Sequence, residues 1–298
     1  MKLPIVTFFL LFSFQYISAK KIVDFSKEES ALISAYQKIS RNNSEAQNLQ
    51  FTSDFITLFD SILTNPETFE YPFANLPFAN VIAPDNSFRI YSWFLLHESG
   101  TYENFGFMQL NPEGKRKYSV FRLEDARENM RTPHAVVCSP NKWYGACYYA
   151  IVPVKKDGET LYTLLGWNPN TLFTQQKVID VVRFKNNIPE FGFPILEMRG
   201  KGTQRRVIFE YSAKSTMMLK FEPKKRMIVF DHLAPSAPQY EDIYEYYGPD
   251  GSIDGYKYKK NRWRFQNVVD ARNPRSGFKE YVPQFLQSLL FKERDIAR

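Results

Sequence analysis

Chemistry-bearing residues are scarce in this chain: three histidines and two cysteines in 298 residues. His97, His134 and His232 are far apart, and no H-E-x-x-H occurs, so no zinc site is legible from spacing. A G-x-S-x-G elbow is also absent, which removes the commonest sequence sign of a serine hydrolase. After the first 19 residues no run approaches ~18 consecutive apolar positions, so no membrane-spanning helix is expected there. The formal charge of +7 is spread along the chain rather than blocked. It is compatible with an anionic partner without requiring one, and no DNA- or RNA-binding fingerprint accompanies it, so nucleic acid is not expected.

The opening MKLPIVTFFLLFSFQYISA has a single early lysine, an apolar stretch from Leu3 to Phe14, and Ile17-Ser18-Ala19 as a small-residue cleavage site. It reads as a secretory signal peptide over residues 1–19, which predicts an exported chain, periplasmic or extracellular. Export permits a disulfide between Cys138 and Cys147. If Ser139-Pro140-Asn141-Lys142 is a tight turn, the two cysteines are about four residues out of register, roughly 13 Å at strand rise. That is beyond the reach of a disulfide. A bridge then requires that the segment before Cys138 not be the hairpin's first strand, and the pairing stays open.

What the chain has in abundance is aromatic side chains, 16% of residues, with 27 Phe and 18 Tyr. That enrichment suits strands and cores. Residues 20–70 break the β texture. Ser26-Lys27-Glu28-Glu29 has the capping-box pattern, and Ala31, Leu32, Ala35, Tyr36 and Ile39 recur at helical spacing. After Arg41-Asn42-Asn43-Ser44, a second helix carries Phe55, Leu58, Phe59, Ile62 and Leu63 on one face and stops at Asn65-Pro66.

From residue 71 to about 270 short β runs alternate with turn signals. They include 88–96, 104–110 and 118–123, then 143–154 and 160–167 around Asp157-Gly158, a strong hairpin signal. Further runs are 177–184, 191–198, 206–211, 217–221, 227–230, 244–247, 255–259 and 263–268. The expected fold is mainly β, an antiparallel meander, propeller-like with few blades, with a sandwich or large barrel as alternatives. Two N-terminal helices precede it, and a short helix near 283–291 is expected in the tail, 271–298.

Several phrases resemble a family. They are Lys142-Trp143-Tyr144-Gly145, Tyr162 to Asn168, Lys177 to Val182, Phe191-Gly192-Phe193-Pro194, Arg206 to Tyr211, Val229 to Leu233 and Tyr247-Gly248-Pro249-Asp250. Together they are similar to a family of exported, uncharacterised proteins of Bacteroidota over residues 70–270. The resemblance implies an exported bacterial protein and no particular activity.

The densest polar constellation is Asp231, His232, Asp250 and Asp254. Asp231 and His232 end a strand, a place where a rigid scaffold can present catalytic groups on a loop. Adjacent strand residues point to opposite faces, so the two are not expected to pair. Asp250, Ser252 and Asp254, followed by Gly255, match the first half of a calcium loop. Asn261 stands where the closing glutamate belongs, and a simple turn explains the same residues. Trp143, Tyr144, Trp167, Tyr256, Tyr258 and Trp263 could line a ligand surface or fill a core face. The leading expectation is a binding scaffold for a protein or glycan partner. A hydrolase at Asp231 and His232 and a calcium-stabilised structural protein are the alternatives.

Overall fold

The computed structural model describes residues 23–267, apart from 199 and 201; the leader and the tail helix expected from sequence lie outside those residues. Helix α1 covers Ser26–Tyr36 and α2 covers Glu45–Leu63. The capping box belongs to α2, not α1. Ser44 accepts from the Gln47 amide while the Gln47 side chain accepts from the Ser44 amide. At α1, Asp24 Oδ1 accepts from the Ser26 amide instead. Glu29, expected to close the α1 box, is buried and binds Tyr71 Oη and the Asn75 amide at 3.0 and 2.7 Å. A long-range partner thus displaced the local one.

Strands follow in three open sheets, antiparallel except for one strand pair in the third. The first holds β1 (Ala79–Ile82), β2 (Phe88–Leu96), β3 (Tyr102–Leu110) and β4 (Val120–Glu124) in chain order. The second is built on β5 (Cys147–Lys156), β6 (Glu159–Asn168) and β7 (Thr174–Lys185), with β8 (Ile188–Phe191) against β7. The chain then leaves for the third sheet with β9 (Leu196–Met198) and β10 (Gly202–Gln204). It returns as β11 (Val207–Ser212) beside β7. It ends with β12 (Leu219–Glu222), β13 (Met227–Pro235), β14 (Tyr247–Lys259) and β15 (Arg262–Gln266) in the third sheet. The last strand pairs in parallel with β9, so two distant segments close that sheet. Among the described residues no sheet closes on itself into a barrel.

Local turn chemistry sets much of this. Asp157-Gly158, Asn186-Asn187 and Lys260-Asn261 all hold positive φ, the requirement of a two-residue hairpin turn. The flanking pairs Lys156 with Glu159, Lys185 with Ile188 and Lys259 with Arg262 confirm the register.

Alternation then builds layers. Tyr91, Trp93, Leu95, Phe105 and Phe107 face the helices and meet Leu32, Phe55 and Phe59. Phe88, Ile90, Met108 and Leu110, from the same strands, face Tyr148, Tyr162, Leu164 and Val182 of the second sheet. That sheet's other face, with Leu161, Leu165, Ile179 and Val181, packs on Ile228, Phe230, Tyr256 and Trp263 of the third. Strands buried on both faces explain why so many lack a polar alternation.

One ion pair is sealed inside. Arg206 meets Asp180 through Nε and Nη2, both at 2.7 Å, with both side chains fully buried. Burial pushes the Asp180 carboxyl above its usual range, and the guanidinium pulls it back.

Three strand expectations need correction. Trp143 to Ala146 is not strand; Trp143 bridges Asp125 after a 3-10 turn at Pro140–Lys142, and β5 starts at Cys147. Phe191 to Met198 is broken at Gly192, whose φ of +90° turns the chain between two sheets. Tyr244–Tyr246 is a 3-10 turn leading into β14. Cys138 and Cys147 are both free and buried. Their neighbours are on different strands, Cys138 bridging Phe191 and Cys147 facing Trp167.

Candidate functional site

The residues singled out in sequence meet at a bulge. Between the pairs Asp231–Ile253 and Leu233–Pro249, His232 alone on β13 faces Asp250, Gly251 and Ser252 on β14. Gly251 has φ of +92°, which lets the strand swell without breaking. His232 Nδ1 lies 2.7 Å from Asp254 Oδ2, with the carboxylate buried and the imidazole half in solvent. Nε2 has no hydrogen-bond partner among the described residues. A buried carboxylate on one ring nitrogen fixes the ring and leaves the other nitrogen turned away from it.

Asp250 Oδ1 accepts from Ser252 Oγ and the Ser252 amide at 2.7 and 2.8 Å, and these bonds hold Asp250 below the ordinary carboxylate range. Asp231 turns away and accepts from the Met218 amide at 2.7 Å. Three of the four polar residues therefore gather and the fourth does not. The presumed calcium segment is strand, not a wrapping loop. Among the described residues, no group of three or more His, Cys, Asp or Glu side chains is placed to hold a metal ion.

The aromatic set divides differently. Trp143, Tyr144, Tyr256 and Trp263 are buried in the core. Trp143 donates to Tyr148 Oη, Tyr144 to Gln176 Oε1 and Trp263 to Thr163 Oγ1. Trp167 and Tyr258 are half-buried, and their polar atoms are engaged by Gln175 Oε1 and the Lys155 carbonyl. The core-face alternative holds for the four buried rings: Trp143, Tyr144 and Trp263 find polar partners inside the protein, and Tyr256 packs against Phe230 and Phe265 with its hydroxyl unpaired among the described residues.

A second cluster was invisible to spacing. The β2–β3 turn, the start of α2 and the segment after β4 enclose an open cleft of about 620 Å³. Glu45, His97, Glu98, Glu103, Asp125 and Arg127 line it, with Glu128 at the rim. His97 Nδ1 is 2.5 Å from Glu45 Oε1 and Nε2 is 3.2 Å from Glu103 Oε2. Glu45 and Glu98 exchange bonds, each carboxylate accepting the other's backbone amide at 2.8 and 3.0 Å. This ties the first turn of α2 to the hairpin tip.

Burial alone would lower His97, but Glu45 and Glu103 outweigh it and hold the imidazole above its ordinary value. The His97 bond, with the Glu98 amide, keeps Glu45 low. Glu103 goes the other way: burial raises it, and Asp125 and Glu128 add repulsion. Burial also raises Asp125, although Arg127 and Asn104 pull it down. Asp125 is structural in part, since Oδ2 accepts from the Asn104 amide and side chain and Oδ1 from the Arg127 amide. Arg127 is spent on Asn168 Oδ1 and the Tyr102 carbonyl, both at 2.5 Å. The cleft thus holds five carboxyl side chains against one histidine and one already engaged arginine.

Only His97 of this cluster stood out in sequence, and only as an isolated histidine. Glu45 lies more than fifty positions away from it in the chain. No short-range pattern could have joined the two. Comparison with protein-family models, curated proteins and solved structures returned no match.

Proposed function

We propose that this chain is an exported β-scaffold binding protein, and that its acidic cleft receives a basic segment of a protein partner. The observation that carries the reading is the excess of carboxylates around an open cleft in a chain whose formal charge is +7. Two of those carboxyls, Glu103 and Asp125, are held above their usual range, chiefly by burial. A lysine or arginine side chain entering the cleft would supply a positive charge and favour the ionised Glu103.

Titration calorimetry of the chain from residue 20 with a lysine- and arginine-rich peptide at low salt tests this. The expected outcome is saturable binding that weakens roughly tenfold in Glu103→Gln, and weakens again at high ionic strength as exposed charges are screened. Binding that Glu103→Gln and Glu98→Gln leave unchanged would refute the site. Export rests on the leader-like residues 1–19 and the family resemblance, and N-terminal sequencing of the secreted product checks it. We read the three sheets, stacked face to face with one crossing of the chain to the third and back to the second, as blades of a short open propeller; the angles between them in an experimental structure decide between that and a sandwich.

A second reading has its own observation. His232, oriented by buried Asp254 and open at Nε2, has the geometry of a general base for a hydrolase. A chromogenic ester panel tests it. Turnover should disappear in His232→Ala and fall steeply in Asp254→Asn, and equal rates in all three proteins end this alternative.

A further inference from the structure

The acidic cleft does not end at the β2–β3 hairpin. Glu45, His97, Glu98 and Tyr102 also wall a second hollow, of about 300 Å³, whose chemistry is different. Tyr36, Ile39, Phe94 and Leu96 line that hollow, and all four are half-buried, so each keeps part of its surface in solvent. Its walls are braced from behind. The Tyr36 ring rests on buried Phe55 and Phe78, at centroid distances of 5.5 and 5.2 Å. Phe94 stands edge-on to Tyr102 and Trp167, at 5.5 and 5.7 Å. Rings fixed in this way are already ordered before a ligand arrives, so binding costs little further ordering. Beyond the shared residues, Arg41 is the one charged side chain lining the hollow; it is exposed, and its guanidinium has no partner among the described residues.

We propose that cleft and hollow form one peptide groove, which selects a partner segment carrying an aromatic residue within two positions of a lysine or arginine. The cation enters among Glu45, Glu98 and Glu103, and the aromatic ring enters the hollow walled by Tyr36 and Phe94. This rests on the reading of the acidic cleft as a site for a basic segment, and it adds what else that segment must contain.

The two spaces do different work. Carboxylates in an open cleft stay hydrated and screened, so they choose the sign of the partner more than they hold it. An aromatic ring that leaves water for an apolar hollow supplies affinity in proportion to the area it buries. Because the spaces share a wall, the two side chains must be close neighbours on the segment. Residues two apart in an extended chain lie on one side, about 7 Å apart. Arg41 sets the direction, since it repels a cation from the hollow and leaves the carboxylate end as the favoured seat. A guanidinium can also lie against an aromatic face, so Arg41 tolerates the ring where it rejects the charge. The Tyr36 hydroxyl has no hydrogen-bond partner among the described residues, and burial keeps it an uncharged phenol, able to donate to a backbone carbonyl of the segment.

Three capped tetrapeptides, compared by titration calorimetry on the same protein, separate this proposal from the reading beneath it. They are Lys-Phe-Lys-Phe, Lys-Ser-Lys-Ser and Ser-Phe-Ser-Phe. Lys-Phe-Lys-Phe should bind about tenfold tighter than Lys-Ser-Lys-Ser, the gain from burying most of one ring, and Ser-Phe-Ser-Phe should bind weakest. In Leu96→Ser, which strips an apolar wall from the hollow, the preference for Lys-Phe-Lys-Phe should fall to about twofold. That preference is a ratio of two affinities for one sample, so partial unfolding of the variant does not mimic its loss. Equal affinity for the two lysine peptides overturns the groove and leaves the acidic cleft standing. No binding of either lysine peptide overturns both. Ser-Phe-Ser-Phe binding as tightly as Lys-Phe-Lys-Phe overturns the pairing of ring with charge, and a preference that survives Leu96→Ser overturns the hollow as the seat of the ring.

Discussion

Removing the guanidinium of Arg206 should be among the most damaging single changes to this protein. The side chain bonds Asp180 twice at 2.7 Å and the Pro133 carbonyl at 2.8 Å, and lies 5.0 Å from the Tyr144 ring centroid. In Arg206→Met much of the volume is kept, so cavity formation is small and the electrostatic loss dominates. Asp180 retains the Val181 amide at 2.8 Å and a long contact to Tyr148 Oη at 3.4 Å, too little to offset a buried charge. Breaking one side of a buried pair costs about 3–5 kcal/mol. At about 2–4 °C per kcal/mol for a chain of this size, a 4 kcal/mol loss lowers Tm by about 8–16 °C.

The variant should also acquire a pH signature. Burial already raises Asp180, and without Arg206 nothing of opposite charge pulls it back. A carboxyl whose folded pKa exceeds its unfolded value contributes stability below the unfolded pKa and loses it as pH rises through the folded one. The deficit of Arg206→Met against wild type should therefore shrink between pH 7 and pH 5, by up to ~1.4 kcal/mol per pH unit. Guanidinium unfolding followed by tryptophan fluorescence reads both effects. The double variant Asp180→Leu with Arg206→Met leaves no buried charge and should recover most of the loss. A deficit under ~1 kcal/mol at pH 7, or the same deficit at both pH values, would show that the pair is not the desolvated ion pair described.

Other substitutions probe the remaining architecture. Gly145→Ala should cost at least ~2 kcal/mol in a thermal melt, because φ is +81° and a Cβ there would overlap the Asp125 carboxylate. Ser44→Ala, which removes half of the α2 capping box, should cost about 1 kcal/mol by the same measurement. His97→Gln tests the tie between α2 and the hairpin tip. Because His97 is raised, its contribution is present below its unfolded pKa and fades as pH rises through the folded one. Because Glu45 is lowered, its contribution is present above the unfolded carboxylate range and fades in acid. The urea midpoint of the wild type should thus peak at mildly acidic pH, and that peak should flatten in His97→Gln.

The parts of the fold legible in sequence were those fixed within a few residues. Asp157-Gly158 and Asn186-Asn187 announce their hairpins because positive φ is a local demand. Phe55 and Phe59 announce a helix face because both lie on one stripe. Where a distant partner competes, local reading fails. Ser26 to Glu29 matched a capping box, but Glu29 was claimed by Tyr71 and Asn75. The same limit governs the sites. Parity correctly separated Asp231 from His232, but the cross-strand register that sets Asp254 opposite Phe230, and so 2.7 Å from the imidazole, could not be read from sequence. The Glu45, His97 and Glu103 cluster needs a helix end, a turn and a strand to meet, and no spacing rule encodes that meeting. Trp143 and Trp263 stayed open between ligand wall and core face because composition cannot tell a buried ring from an exposed one.

The parallel contact of β15 with β9 has a consequence for how the chain matures as it leaves the ribosome. The helices and first sheet consist of segments close in sequence, and they can dock as soon as they emerge. The second sheet cannot be finished in the same way. Its outer face waits for Trp263, which packs against Leu161 and Leu165 and donates to Thr163 Oγ1 at 2.8 Å. Until those last residues arrive, β9 and β10 form a hairpin with no neighbour at the open edge, beside an uncovered apolar surface. A nascent chain stalled before Arg262 would present both hazards at once, a free strand edge and a greasy sheet, and would be a natural client for a holding chaperone.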